Sequence, residues 1–103
     1  MNIVYKNDGV YPEYELTGNK LTIEDELTVN LAKYERDDDA HVDICKDNNG
    51  NLVMGIIPGA AEFYAAQIDI PAREYAETVE GEDVVFTAVP FSPDNVTLTL
   101  WGV

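Results

Sequence analysis

The sequence predicts an all-β protein, an antiparallel sandwich or open barrel of about eight short strands. Three observations favour this class. Short runs rich in Val, Ile, Thr and Tyr recur along the chain, separated by turn residues every ~8 to 12 residues. Several runs alternate apolar and polar residues, the period of a strand with one buried face. Residues 41–57 combine two such runs with the turn of a β-hairpin.

The length and composition indicate a single domain, residues 1–103. Hydrophobic residues make up 46% of the chain and recur throughout it, which excludes a disordered protein. No glycine-rich linker, internal repeat or low-complexity tract divides the sequence. We therefore expect one hydrophobic core.

The first part of the chain predicts short strands at residues 2–5 and 11–16, separated by the turn residues 7–9. Pro12 indicates that the second strand lies at an edge of its sheet, because proline has no N–H group to donate to a neighbour.

Residues 21–34 fit two structures. Apolar residues at odd positions indicate a half-buried strand, whereas a helix would align Leu27, Leu31 and Tyr34. Residues 28–30 are weak helix formers, so we predict two strands interrupted at residues 24–26.

The hairpin has a preferred register. A three-residue loop over residues 48–50 sets Ile44 opposite Met54. The next pair in that register is Val42 and Ile56. A two-residue loop would shift every partner by one and set polar residues opposite apolar ones, so we predict the three-residue loop.

The second half of the chain predicts strands at residues 62–70, 84–88 and 96–101, the last with one aliphatic face and one Thr/Trp face. Residues 72–80 fit either a short surface helix that ends at Gly81 or an irregular crossing loop.

The charge excludes two classes of partner. Six basic residues against 20 acidic ones give a net charge of −14. Phosphate backbones and anionic membrane surfaces are repelled by such a protein, so we expect no direct nucleic-acid binding and no membrane binding. No run of ~18 apolar residues is present to span a bilayer. An electrostatically attracted partner is expected to be basic, or a multivalent cation.

Catalytic chemistry has little support. His41 and Cys45 are the single histidine and the single cysteine, and four residues along a strand separate them by ~13 Å. Asp43 shares a face with His41, but a zinc site would need further histidines or paired cysteines. Nucleotide-binding and serine-hydrolase motifs are absent from the sequence. We predict no catalytic residue, no cofactor and no metal, and hence no enzyme.

The acidic run of residues 35–39 has two interpretations. A solvated charged loop is the simpler one. Carboxylate oxygens are also the ligands of calcium, so a loop calcium site at Asp37, Asp38 and Asp39 is the alternative.

Aromatic residues suggest an interaction surface. The chain has six Tyr and one Trp, which are favoured anchors at protein interfaces. We predict Trp101, Tyr75 and Tyr64 as candidate interface residues. Trp101 lies near the C-terminus on the last strand, where it is placed to extend a sheet between subunits or to fill a pocket of a partner.

The last third of the chain resembles a known kind of protein. The segments Ile68–Tyr75, Val89–Phe91 and Val96–Trp101 carry the patterns I-x-I-P-x-R-x-Y and P-x-x-x-x-x-V-x-L-x-L-W. These patterns resemble short acidic proteins of unassigned function that phages and prophages of Gram-positive bacteria encode. The resemblance implies a small accessory component, of a structural kind, and supplies no functional residues.

The favoured function is therefore a non-enzymatic β-domain that acts through protein–protein contacts, with a protein partner or as a homo-oligomer, as a phage or prophage structural or assembly accessory protein. One alternative is an acidic nucleic-acid mimic that inhibits a DNA-binding protein. Another is a calcium-stabilised binding module. The lone cysteine fits a reducing compartment. Together with the phage resemblance, this implies the cytoplasm of a bacterial host or a virion assembled there.

Overall fold

A computed structural model describes residues 1–47, 49–55 and 61–102, without the side chains of residues 61–63. The all-β class is confirmed. Within the described residues the chain forms ten strands and two short 3-10 helices, Leu31–Tyr34 and Pro93–Asn95. The strands are β1 (Asn2–Lys6), β2 (Tyr14–Thr17), β3 (Lys20–Ile23), β4 (Leu27–Asn30), β5 (Ala40–Asp47), β6 (Leu52–Met54), β7 (Ala61–Ile70), β8 (Tyr75–Glu80), β9 (Asp83–Ala88) and β10 (Thr97–Trp101).

Two of the three sheets share one hydrophobic core. The larger sheet has the order β1-β10-β7-β5-β6 and is antiparallel except for the parallel pair of β1 and β10. Its central strands bury Ile44, Ile68 and Leu98 completely. The smaller sheet, in the order β2-β3-β4, adds Leu21 and Val29 to the same cluster. The alternation of apolar and polar residues along these strands thus produces a sandwich with a shared apolar core.

The predicted break at residues 24–26 is confirmed. Glu24 and Asp25 take left-handed backbone angles, φ 53° and 54°, in the tight turn between β3 and β4. Lys46 Nζ forms an ion pair with Glu24 Oε2 at 3.3 Å, and the Leu52 backbone N–H donates to Glu26 Oε2 at 3.0 Å. These contacts tie the turn to the hairpin of β5 and β6.

The predicted register of that hairpin is also confirmed. Ile44 lies opposite Met54. The Gly50 backbone N–H donates to the carbonyl of Asp47 at 3.1 Å, and Gly50 has the φ of 80° that a three-residue loop with a closing glycine requires. The predicted pair of Val42 with Ile56 lies outside the described residues. The smaller sheet confirms another prediction, since β2, which follows Pro12, is an edge strand.

The prediction of a helix or an irregular loop over residues 72–80 is wrong from residue 75 onward. Residues 75–80 form β8, which pairs antiparallel with β9 in a separate two-stranded sheet. Gly81 is the first residue of a two-residue turn and has φ 63°, an angle that favours glycine. Gly81 fits both a tight turn and the end of a helix, which was one of the two structures considered for this segment, but the pairing with residues 83–88 selects the strand.

The expected role of the last strand is wrong in one respect. β10 lies between β1 and β7, so both of its edges are already paired. Trp101 therefore cannot extend this sheet between subunits through backbone pairing. The first strand, β1, takes the edge position instead.

The β8–β9 hairpin projects from the sandwich. The Cα radius of gyration is 16.7 Å and the principal extents are 60 × 25 × 21 Å. A compact domain of this length has a radius of gyration of about 13 Å. Every residue from 74 to 90 is exposed. We term residues 74–89 the arm. Within the described residues no helix has the length and apolarity to cross a membrane.

Candidate binding surface

The arm has one apolar face and one polar face. Cross-strand pairing sets Tyr75 opposite Ala88 and Val79 opposite Val84, with Phe86 between them on the same side of the ribbon. We term these five residues the apolar face. The opposite side carries mainly polar residues: Ala76, Thr78, Glu80, Asp83, Val85 and Thr87. A two-stranded ribbon with one apolar side normally packs that side against a core.

In the part of the chain that the structure describes, no core packs over the apolar face. Val79 is 67% exposed, Phe86 65% and Val84 49%. None of the arm's side chains, all of which the structure describes, belongs to the hydrophobic core. The exposed apolar surface is on the order of 400 Å², within the range of the largest and often functional patches on monomeric proteins.

The arm is also uniformly acidic. It has five carboxylates and no Lys, Arg or His. The carboxylates belong to Glu74, Glu77, Glu80, Glu82 and Asp83. Three of them lie in residues 80–83, at the turn that forms the tip. The arm therefore presents apolar surface inside a negative field.

A set of polar contacts holds the base of the arm against the sandwich. The Arg73 guanidinium donates to Asp37 Oδ1 at 3.1 Å, to Glu35 Oε1 at 3.4 Å and to the Glu35 carbonyl at 3.1 Å. The Tyr75 hydroxyl donates to the same Asp37 oxygen at 2.6 Å. We term Glu35, Asp37, Arg73 and Tyr75 the clamp.

Backbone groups complete the attachment. The Arg73 N–H donates to the Arg36 carbonyl at 2.8 Å. The Ala72 N–H donates to Asp39 Oδ1 at 2.9 Å, and the Arg36 guanidinium donates to the Asp39 carbonyl at 2.9 Å. The acidic run of residues 35–39 is thus an attachment loop in which the carboxylates of Glu35, Asp37 and Asp39 accept hydrogen bonds from protein donors. Within the described part of the chain, no group of three or more His, Cys, Asp or Glu side chains is arranged to hold a metal ion.

A second polar cluster lies on the outer face of the five-stranded sheet. The register sets His41 opposite Asp69 and Asp43 opposite Gln67. His41 Nδ1 lies 2.5 Å from Asp69 Oδ1, and His41 Nε2 lies 2.7 Å from Asp43 Oδ1. An imidazole that bonds to carboxylates through both nitrogens must donate from both, which requires the protonated ring.

The charges of this cluster shift the two pKa values in opposite directions. Hydrogen bonds to Asp69, and then to Asp43, raise the pKa of His41 above its usual value, although partial burial opposes the change. Burial also acts to raise the pKa of Asp43, but the bonds from Gln67 and His41 outweigh it and lower this pKa. When His41 is protonated, the cluster is therefore an ion-paired row on the sheet surface.

The row continues to two of the predicted interface residues. Gln67 Nε2 donates to Asp43 Oδ1 at 3.0 Å, and Trp101 Nε1 donates to Gln67 Oε1 at 2.9 Å. The Trp101 ring stacks on Tyr64, with centroids 5.6 Å apart and planes at 29°. The structure brings Trp101 and Tyr64 together, both half-buried, and places Tyr75 on the arm.

Cys45 lies on the same strand as His41. The thiol is 2% exposed and Cys45 faces Val53, as the hairpin register predicts. Burial, followed by the nearby Asp43 charge, raises the pKa of the thiol. Low exposure and a raised pKa both make a thiol less reactive.

Sequence reasoning missed the arm and the clamp. The signal available for the arm was Gly81 between two runs that contain strand-forming residues, 75–80 and 83–88. No local signal connects Arg73 to residues 35 and 37, since 38 and 36 residues separate the partners.

Comparison of the chain with protein-family models, curated proteins and solved structures found no match. The arm and the clamp are therefore the features on which a functional proposal rests.

Proposed function

We propose that this protein is a non-enzymatic β-domain that acts through protein–protein contacts, and that the arm is its contact element. The observation that carries the proposal is the apolar face, in which Val79 and Phe86 are each about two-thirds exposed on a projecting hairpin. Exposed apolar surface of this extent is typical of interaction sites. Such an arm suits an accessory component of a larger assembly, which is the role that the resemblance to phage proteins implies.

The clamp supports this role by fixing the arm in advance. A two-stranded hairpin is marginally stable alone in water. Contacts of Arg73 and Tyr75 with Asp37 hold one end of the arm in place. A contact element that is ordered before binding loses less conformational entropy when it binds, so more of the contact energy becomes affinity.

The two alternative functions have less support from the arm and the attachment loop. A nucleic-acid mimic needs its carboxylates ranked along one face, but Glu77 lies on one side of the arm and Glu80 and Asp83 on the other. A calcium module needs free oxygen ligands in the acidic run, where oxygens of Asp37 and Asp39 already accept protein hydrogen bonds.

A photo-crosslinking experiment tests the proposal. The photoreactive residue p-benzoylphenylalanine replaces Phe86 on the arm, or Thr17 on the exposed edge strand β2 as the control. In cells that express the protein natively, we expect position 86 to give a discrete adduct and position 17 to give none. The pair of substitutions Val79→Ser and Glu77→Lys, added to the photoreactive protein, should abolish the adduct because they alter the face that carries position 86. Absence of an adduct from position 86, or identical products from both positions, refutes the proposal.

A further inference from the structure

We propose, on the basis of the proposed function, that the arm docks into an apolar cleft bordered by Lys and Arg side chains on a different, basic protein. The apolar face supplies the surface that such a cleft covers. The five carboxylates of the arm, with no cation among them, supply the charge that its border neutralises.

The positions of the carboxylates on the arm define where the basic groups of the partner must lie. Glu80, Glu82 and Asp83 surround the tip. Glu77 pairs across the strands with Phe86, so a carboxylate lies beside the largest apolar side chain of the arm. Cations are therefore needed where the tip ends and beside the pocket that receives Phe86. An uncharged cleft would leave these carboxylates desolvated without partners, which opposes binding.

A second copy of this chain fits the arm poorly. Each molecule has a net charge of −14, so an arm approaching another copy meets like charge. Two arms packed through their apolar faces would bury roughly 800 Å² in total, below the ~1,200 Å² of a stable interface. Nucleic acids and anionic bilayers are repelled by the same field. A basic protein is the partner that satisfies both the apolar face and the charge.

A basic partner predicts that the affinity for the arm falls as the salt concentration rises. Attraction between an acidic arm and a basic border speeds association at low ionic strength. Raising the salt from ~50 mM to ~500 mM shortens the Debye length from above 10 Å to below 5 Å and removes most of this attraction. Contacts made by apolar surface alone would not weaken in this way.

Selection from a displayed library of random linear peptides tests the inference. The target is the full chain. Counter-selection uses the Val79→Ser, Phe86→Ser variant, which has the same net charge and so removes peptides held by overall acidity alone. We expect the surviving peptides to be enriched in Lys or Arg together with aromatic or aliphatic residues, and to bind more weakly at high salt.

Two charge variants supply the matched comparison. One neutralises the arm with Glu77→Gln, Glu80→Gln, Glu82→Gln and Asp83→Asn. The other neutralises four exposed carboxylates elsewhere with Glu13→Gln, Glu15→Gln, Asp25→Asn and Asp38→Asn. The selected peptides should lose about tenfold or more in affinity for the first variant, and only a small fraction of that for the second.

The outcomes separate this inference from the proposed function. The inference of a basic partner is overturned if the arm-dependent peptides are neutral or acidic. It is also overturned if they bind the arm-neutralised variant and the wild type equally. Either result leaves the arm as a contact element. Equal losses with both charge variants also overturn it, because overall charge then explains the binding. A library that yields no arm-dependent peptide overturns the inference, while the crosslinking from position 86 tests the proposed function separately.

Discussion

Replacing Phe86 with Ser should remove the centre of the apolar face at little cost to stability. Phe86 is 65% exposed, so folding buries only about a third of its surface. Full burial of a Phe side chain is worth about 2 to 3 kcal/mol, which leaves about 1 kcal/mol for the buried third. Leu98 is 0% exposed, and a Leu→Ala change at such a site costs about 2 to 5 kcal/mol.

Chemical and thermal denaturation at several protein concentrations measure this contrast. For a domain of this size, 1 kcal/mol corresponds to about 4 to 8 °C in Tm. Phe86→Ser should therefore lower the Tm by no more than about 8 °C, and Leu98→Ala by two to five times the shift of Phe86→Ser, about 8 to 40 °C. Amides of β8 and β9 should exchange with solvent faster than those of β7 and β10, because the arm has no buried side chain to hold it closed.

One result would refute the reasoning. If Phe86→Ser destabilises the monomer as much as Leu98→Ala does, the arm packs against the sandwich in solution and has no open apolar face. A cost that grows with protein concentration would instead show that copies of the chain cover one another's arms, against the choice of a basic partner.

Three further predictions concern the clamp, the histidine and a turn. Arg73→Gln should speed amide exchange in β8 and β9 but not in β10. Arg36→Gln, which loses one hydrogen bond to a carbonyl, should leave amide exchange in β8 and β9 unchanged. Equal effects of the two substitutions would count against the clamp. The pKa of His41 is raised above 6.5, so its contribution to stability is complete below pH 6.5 and is lost as pH rises through the folded-state pKa. The urea midpoints of wild type and His41→Gln should therefore converge on going from pH 6 toward pH 9, and a constant gap would contradict the ion pair. Asp25→Gly should raise stability by about 0.5 to 1 kcal/mol, because glycine adopts the φ of 54° without a steric cost; a lower urea midpoint than wild type would refute this.

The hairpin of β5 and β6 and the break at residues 24–26 were predictable because their signals are local. Turn residues at 48–50 and apolar residues at fixed distances on both sides leave one register that pairs apolar with apolar. Weak helix formers at 28–30 similarly decide between a helix and a strand. Such choices depend on neighbours within a few positions, which the sequence displays directly.

The arm was not predictable in the same way, because its residues are all exposed and no burial constrains their pattern. A buried strand must alternate apolar and polar residues, but β8 reads Y-A-E-T-V-E, with Glu77 on its apolar side. Gly81 fits both the end of a helix and a tight hairpin turn. Only the pairing of residues 75–80 with 83–88 decides between them, and that pairing is a tertiary fact.

The clamp and the His41 row depend on contacts that are remote in sequence. His41 and Asp69 are 28 residues apart and meet because β5 and β7 pair in one register. A shift of one residue would move Asp69 to the other face of the sheet and leave His41 with Asp43 alone. The sequence places His41 and Asp43 on one face of a strand but does not indicate which strand pairs beside them.

The acidity of the chain and the exposure of the arm have one physical explanation. An exposed apolar face risks association between identical copies, and charges beside such a face are a means of preventing it. With five carboxylates on the arm and a net charge of −14, every other copy is repelled from the face. A protein with basic groups around an apolar cleft experiences the opposite force. Specificity is a difference between affinities, so in the proposed complex the same carboxylates both exclude the second copy and select the basic partner.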